Sequence, residues 1–169
     1  MTDRGFVAEA IGGCDAVVTC IGHRLKSANP WSVSTSPPDI MTRVTAAVVA
    51  ALGDDRSRHL IYLSAFGVGG DLKKHSVLFR LVLRTSSIRE SYQDHATAEA
   101  MIKASRASWT IVRPPGLTNA DRDVDLVDRG DRWTSFETVS RVSLARFLVE
   151  CAEDRATVGQ TITIGERKA

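Results

Sequence analysis

Apolar positions along this chain keep switching between a helical and a strand rhythm. MTDRGFVAEAIGG puts Phe6, Val7, Ala10 and Ile11 on one helical face, with Thr2 as a good N-cap and Gly12-Gly13 as a stop. DAVVTCIG then runs apolar without alternation, as a buried strand does. Residues 23 to 37 are polar and broken by Pro30, Pro37 and Pro38, which predicts a long loop. A helix from Asp39 to Leu52 follows, its buried stripe made of Ile40, Val44, Ala47, Val48 and Ala51, and Gly53 ends it. HLIYL predicts a strand that leads through Ser64 into a glycine-rich turn.

The second half repeats the rhythm. Residues 72 to 86 read as a short, partly basic helix, and a longer helix runs from Ile88 to Ser105. WTIVRP is a strand stopped by Pro114-Pro115-Gly116. Residues 118 to 138 are charged and irregular, with a short strand near Trp133. Ser140 caps RVSLARFLVECAED, and QTITIG closes the chain as a strand. Strands alternating with helices define an α/β fold with a parallel sheet and right-handed crossovers. Ligands of such sheets bind beyond the carboxyl ends of the strands. The residues to watch are therefore Gly22 to Arg24, Ser64 to Phe66 and Arg113 to Leu117, which are placed to share one crevice.

Composition narrows the partners. The 169 residues make one domain, with no repeat and no linker, and 43% hydrophobic and 25% charged content is ordinary for a globular protein. A net charge of +2 without a concentrated basic stripe gives no reason to expect nucleic-acid or membrane partners. VTAAVVAAL is far too short to span a bilayer, and MTDRG does not begin a secretory signal. Cys14, Cys20 and Cys151 lack metal-site spacing and read as buried structural thiols in a reducing, cytoplasmic setting; no metal site is expected among the four histidines.

DAVVTCIG, HLIYLSAFGVGG, DHATAEAMIKAS and WTIVRPPGLT, in that order, resemble the atypical short-chain dehydrogenase/reductases of the NmrA-like, NAD(P)-binding group, nearest to the flavin reductase (biliverdin-IX-beta reductase) type. The resemblance covers nearly the whole chain and implies a Rossmann-like, doubly wound parallel sheet. It also makes MTD look like the end of a third strand. On that expectation roughly 40 to 50 residues of β-α-β-α-β, including the phosphate-binding glycine loop, precede the fold's present start. The chain would then be N-terminally truncated, and strand 15–21 would be an open edge that invites a homodimer.

The resemblance further implies an NAD or NADP cofactor and a small-molecule acceptor, a flavin or quinone. It places Ser64 near the nicotinamide, as a group that orients a carboxamide or donates to an acceptor. His95, after Asp94, becomes the candidate proton relay, with Glu99 either orienting it or forming a surface pair. Ile21, Gly22, Ala65, Phe66, Pro114, Pro115 and Gly116 become cofactor contacts, and His23, Arg24 and Leu117 substrate contacts. Arg24 suits a phosphate or carboxylate. Tyr92 lacks the lysine four residues on that would activate it, since Ala96 stands there, so it reads as a packing tyrosine. GVGGDL mimics a dinucleotide fingerprint but has Leu72 in place of the third glycine. Two alternatives to a reductase remain: a non-catalytic dinucleotide sensor, and an inactive remnant.

Overall fold

The computed structural model of the chain describes residues 3–27, 29–69, 76–130 and 137–167. In order, it runs α1 (Arg4–Ala10), β1 (Ala16–Thr19), α2 (Ile40–Leu52), β2 (His59–Leu63), α3 (Val77–Thr85), α4 (Ile88–Ala104) and β3 (Ser108–Arg113). Short strands β4 (Gly116–Thr118), β5 (Leu126–Asp128) and β6 (Thr138–Ser140) follow, then α5 (Arg141–Glu153) and β7 (Gln160–Glu166). The main sheet has the order β1-β2-β3-β7-β5, and β4 pairs with β6 apart from it.

Alternation along β2 and β3 splits the interior in two. Leu60, Tyr62 and Ile111 face a core made with α1, α2 and α4, where Met41, Ala98 and Ile102 are fully buried. Ile61 and Val112 face the opposite core, closed by Leu144, Leu148 and Cys151 of α5 with Ile162 and Ile164 of β7. Side chains that alternate between two helical layers are what a doubly wound sheet requires.

Three expectations need correcting. Asp3 caps α1, accepting from the Phe6 amide, and the helix buries only Val7, leaving Phe6 58% exposed. β1 spans four residues, and Val18 is 40% exposed because the strand lies at a sheet edge, paired among the described residues with β2 alone. Cys14 and Cys20, which flank this edge strand, are exposed for the same reason, and only Cys151 is buried. The main sheet is mostly parallel, as expected; β5 pairs antiparallel with β7, so the charged 118–138 segment supplies an edge strand. The strand expected near Trp133, along with Lys73, Lys74 and His75, lies outside the described residues.

Candidate functional site

Parallel register carries the ladder past the ends of β2 and β3. Leu63 lies opposite Val112, and then the Ser64 amide donates to Val112 and the Phe66 amide to the Pro114 carbonyl. Two of the three groups foreseen at strand ends are thus one continuous backbone unit. Gly67 (φ 90) and Gly69 (φ 73) turn the chain away, in a backbone region that side-chain-bearing residues rarely adopt. Tyr92 fastens that turn from α4, donating from its hydroxyl to the Phe66 carbonyl at 2.9 Å, and burial pushes its phenol up to about 12. It packs and anchors, and supplies no acid-base group.

Beneath the turn lies a buried ionic cluster that the sequence did not suggest. Ser64 donates to Glu99 Oε1 at 2.7 Å, while Arg113 grips both oxygens of the same carboxylate at 2.9 and 2.5 Å. Lys103 adds a contact at 3.2 Å from the half-exposed side of α4. Burial alone would raise the Glu99 carboxyl, but the bonds and charge of Arg113, with Ser64 and Lys103, outweigh it and hold the group ionised below its usual range. Glu99 is therefore neither a surface partner nor the residue that orients His95. The signal for it was the helical spacing of α4, whose buried positions Asp94, His95, Ala98, Glu99 and Ile102 form one stripe.

The β1 end joins the site through α4. Asp94 accepts from the Met41 and Thr42 amides at 2.8 and 2.9 Å and from the Thr42 hydroxyl at 2.5 Å, so it caps α2 from another helix. It also receives His23 Nε2 at 3.2 Å. Those bonds overcome the effect of burial and hold the Asp94 carboxyl below its usual range. The other ring nitrogen of His23, Nδ1, is buried and has no partner among the described residues. His95, one residue on, hydrogen-bonds the Tyr62 hydroxyl at 2.9 Å. Burial drives its pKa down to about 4 against the opposing pull of Glu99 and Asp94. Neutral at physiological pH, His95 is a poor proton source.

Ala65, Phe66, Pro114, Pro115 and Gly116 line one face of a cavity of about 240 Å3, roofed by Phe79, Val82 and Leu83 of α3 and by Ile88 and Tyr92. Ile21 packs against the α2 side of the core, and Gly22 and Arg24 are exposed. Leu117 packs against the α5 core. Gly116 does allow a close approach, but to β6: a Cβ there would stand 3.3 Å from Thr138 Cγ2. No group of three or more His, Cys, Asp or Glu side chains among the described residues is arranged to hold a metal ion, and no helix is long and apolar enough to cross a membrane.

A crossover sheet with its polar groups at the strand ends is the architecture of a nucleotide-binding domain. The family model described as NAD(P)H-binding matches residues 1–155, and the chain belongs to that family. No curated protein matches the sequence significantly. Among solved structures it is similar to ChuY, an anaerobillin reductase from Escherichia coli, with a TM-score of 0.70 at 16% identity, covering 99% of this chain and 73% of that one. A short-chain dehydrogenase/reductase from Veillonella parvula in complex with NADP gives 0.66 at 19%, covering 97% and 68%. A proposed NADH-flavin reductase from Streptococcus pneumoniae gives 0.70 at 14%, covering 97% and 77%. The fold is Rossmann-like and mostly parallel, in the manner of atypical short-chain dehydrogenase/reductases.

Proposed function

We propose that the protein is a cytoplasmic NAD(P)H-dependent oxidoreductase that reduces a flavin, a quinone or a similar acceptor. The observation that carries this reading is the Ser64 hydroxyl. Its hydrogen is committed to ionised Glu99, so its lone pairs are the part left for a ligand, and they suit an amide donor such as the nicotinamide carboxamide. Arg113 keeps Glu99 charged, which keeps Ser64 turned that way. When bound, the dinucleotide, NADP or NAD, supplies a hydride.

The chain's own residues position and exclude water. The cavity under α3 is smaller than the roughly 300–1,000 Å3 of common ligand pockets, so it takes one ring system of the acceptor. Ala65 and Phe66, which follow Ser64 in the chain, line it, and Pro114 and Pro115 stiffen its wall. Arg24 suits a substrate carboxylate, and the unpartnered Nδ1 of His23 suits a substrate hydroxyl. The proton that completes acceptor reduction comes from solvent, because His95 stays neutral and tied to Tyr62.

The test is oxidation of NADPH and NADH, followed by absorbance, with FMN and with menadione. Turnover is expected, and Ser64→Ala should lower kcat/KM by about tenfold or more while moving Tm by only a few degrees, as loss of one hydrogen bond does. Dinucleotide binding without turnover would instead favour the sensor reading, which the neutral, buried His95 supports.

A further inference from the structure

Helix α3 has two apolar faces, and only one is used by the fold. Phe79, Val82 and Leu83 point inward, over the cavity beside Pro114 and Pro115. Val77, Leu78 and Leu81 point outward and are 74%, 62% and 58% exposed. At about 100° per residue these three share one arc of about 100° on the helix, and exposed Arg80 and Arg84 flank that arc on one side. Arg89, just beyond, is exposed as well. None of the three arginines makes an ion pair with any described residue. In sequence, residues 71–90 contain five Lys or Arg against two acidic residues, Asp71 and Glu90 at the two ends, in a chain whose net charge is only +2. The average charge hides this local concentration.

We infer that the outer face of α3 docks on an anionic lipid surface, with Val77, Leu78 and Leu81 entering the headgroup boundary and Arg80, Arg84 and Arg89 meeting the phosphates. An amphipathic helix with a cationic flank has this chemistry. A second copy of the chain is the less suitable occupant. A two-fold contact through α3 would place the arginines of both copies at one small interface. Docking by this face sets the cavity behind α3 beside the acyl phase, within reach of acceptors that dissolve there, such as quinones. That consequence rests on the reductase reading, whereas the docking does not.

Cosedimentation of the full chain with vesicles decides it, using phosphatidylcholine alone and phosphatidylcholine mixed with phosphatidylglycerol. At low salt, at least about tenfold more protein should pellet with the anionic vesicles, and salt of about 0.5 M should release it. Arg80→Glu with Arg84→Glu should abolish the binding, as should Leu78→Glu with Leu81→Glu. Arg80→Lys with Arg84→Lys should keep it. Absence of pelleting, or equal pelleting with both vesicle types, overturns the inference. So does a dimer in sedimentation velocity that Leu81→Glu dissociates, since the face would then belong to a second copy. The lipid and salt dependence of the unsubstituted protein decides the question even where a variant fails to fold. Menadione, which needs no membrane, separates this result from the reductase reading: its turnover by the unsubstituted protein tests that reading whichever way the vesicles answer.

Discussion

His95 shows what burial does to a single titrating group. Its ring is 6% exposed, stands edge-on to Tyr62 with centroids 5.8 Å apart, and titrates at about 4. An unfolded histidine titrates near 6.5. As pH falls between those values, the unfolded chain takes up a proton that the folded chain refuses. The stabilisation is therefore complete above about pH 6.5 and lost by about pH 4, an effect of about 3 kcal/mol. His59, also lowered by burial and by Arg155, contributes in the same direction as pH falls below about 6.5. Asp94 and Glu99, both held low, lose their contributions further down, in the carboxylate range. Thermal melts at pH 7, 6 and 5 should fall steadily, and His95→Gln should flatten that fall; equal Tm values for the unsubstituted protein at pH 7 and 5 would refute this.

Among the elements, α2 depends most on a residue outside itself. Its own N-cap position, Asp39, makes no side-chain cap bond, and Asp94 of α4 takes the Met41 and Thr42 amides instead. Asp94→Ala should therefore cost about 3 kcal/mol in urea unfolding at neutral pH, by removing a cap and several charge-assisted bonds together. Asp94→Asn, which keeps one accepting oxygen, should cost distinctly less. This division also explains what the sequence could reveal. Periodicity located α2, α4 and α5 closely, because each is long enough for its buried stripe to repeat, and the unbroken apolar run HLIYL located β2. The Ser64 position was legible from its place after HLIYL. Glu99–Arg113 and Asp94–Met41 were not, because each joins residues through the fold, the latter across 53 positions, and no local pattern encodes the meeting. Short β4, β5 and β6, three residues each, fall below the length at which alternation is visible.

At the scale of the whole molecule, the open side of β1 is the feature most exposed to other chains. Ala16 to Thr19 pair only with His59 to Tyr62 among the described residues, which leaves backbone donors and acceptors along the other edge. The 169-residue chain should form a concentration-dependent dimer through that edge, measured by sedimentation equilibrium. Val18→Lys should shift it to monomer, because an edge lysine opposes strand addition. Persistence of the dimer in Val18→Lys would rule the edge out. A dimer formed here leaves α3 untouched, so it differs in kind from one broken by Leu81→Glu.

The ladder that runs past the ends of β2 and β3 has a kinetic consequence. Phe66 sits in what is nominally a loop, yet its amide is bonded to Pro114 and its carbonyl to Tyr92. Hydrogen exchange at Ser64 and Phe66 should therefore be as slow as at Tyr62, in the middle of β2. The rim of the site behaves as part of the sheet, and a ligand arriving there has little to freeze. Whatever opens and shuts during a catalytic cycle must then be the thin helical roof, and the rate of that roof's motion, rather than the shape of the floor, would set how fast products leave.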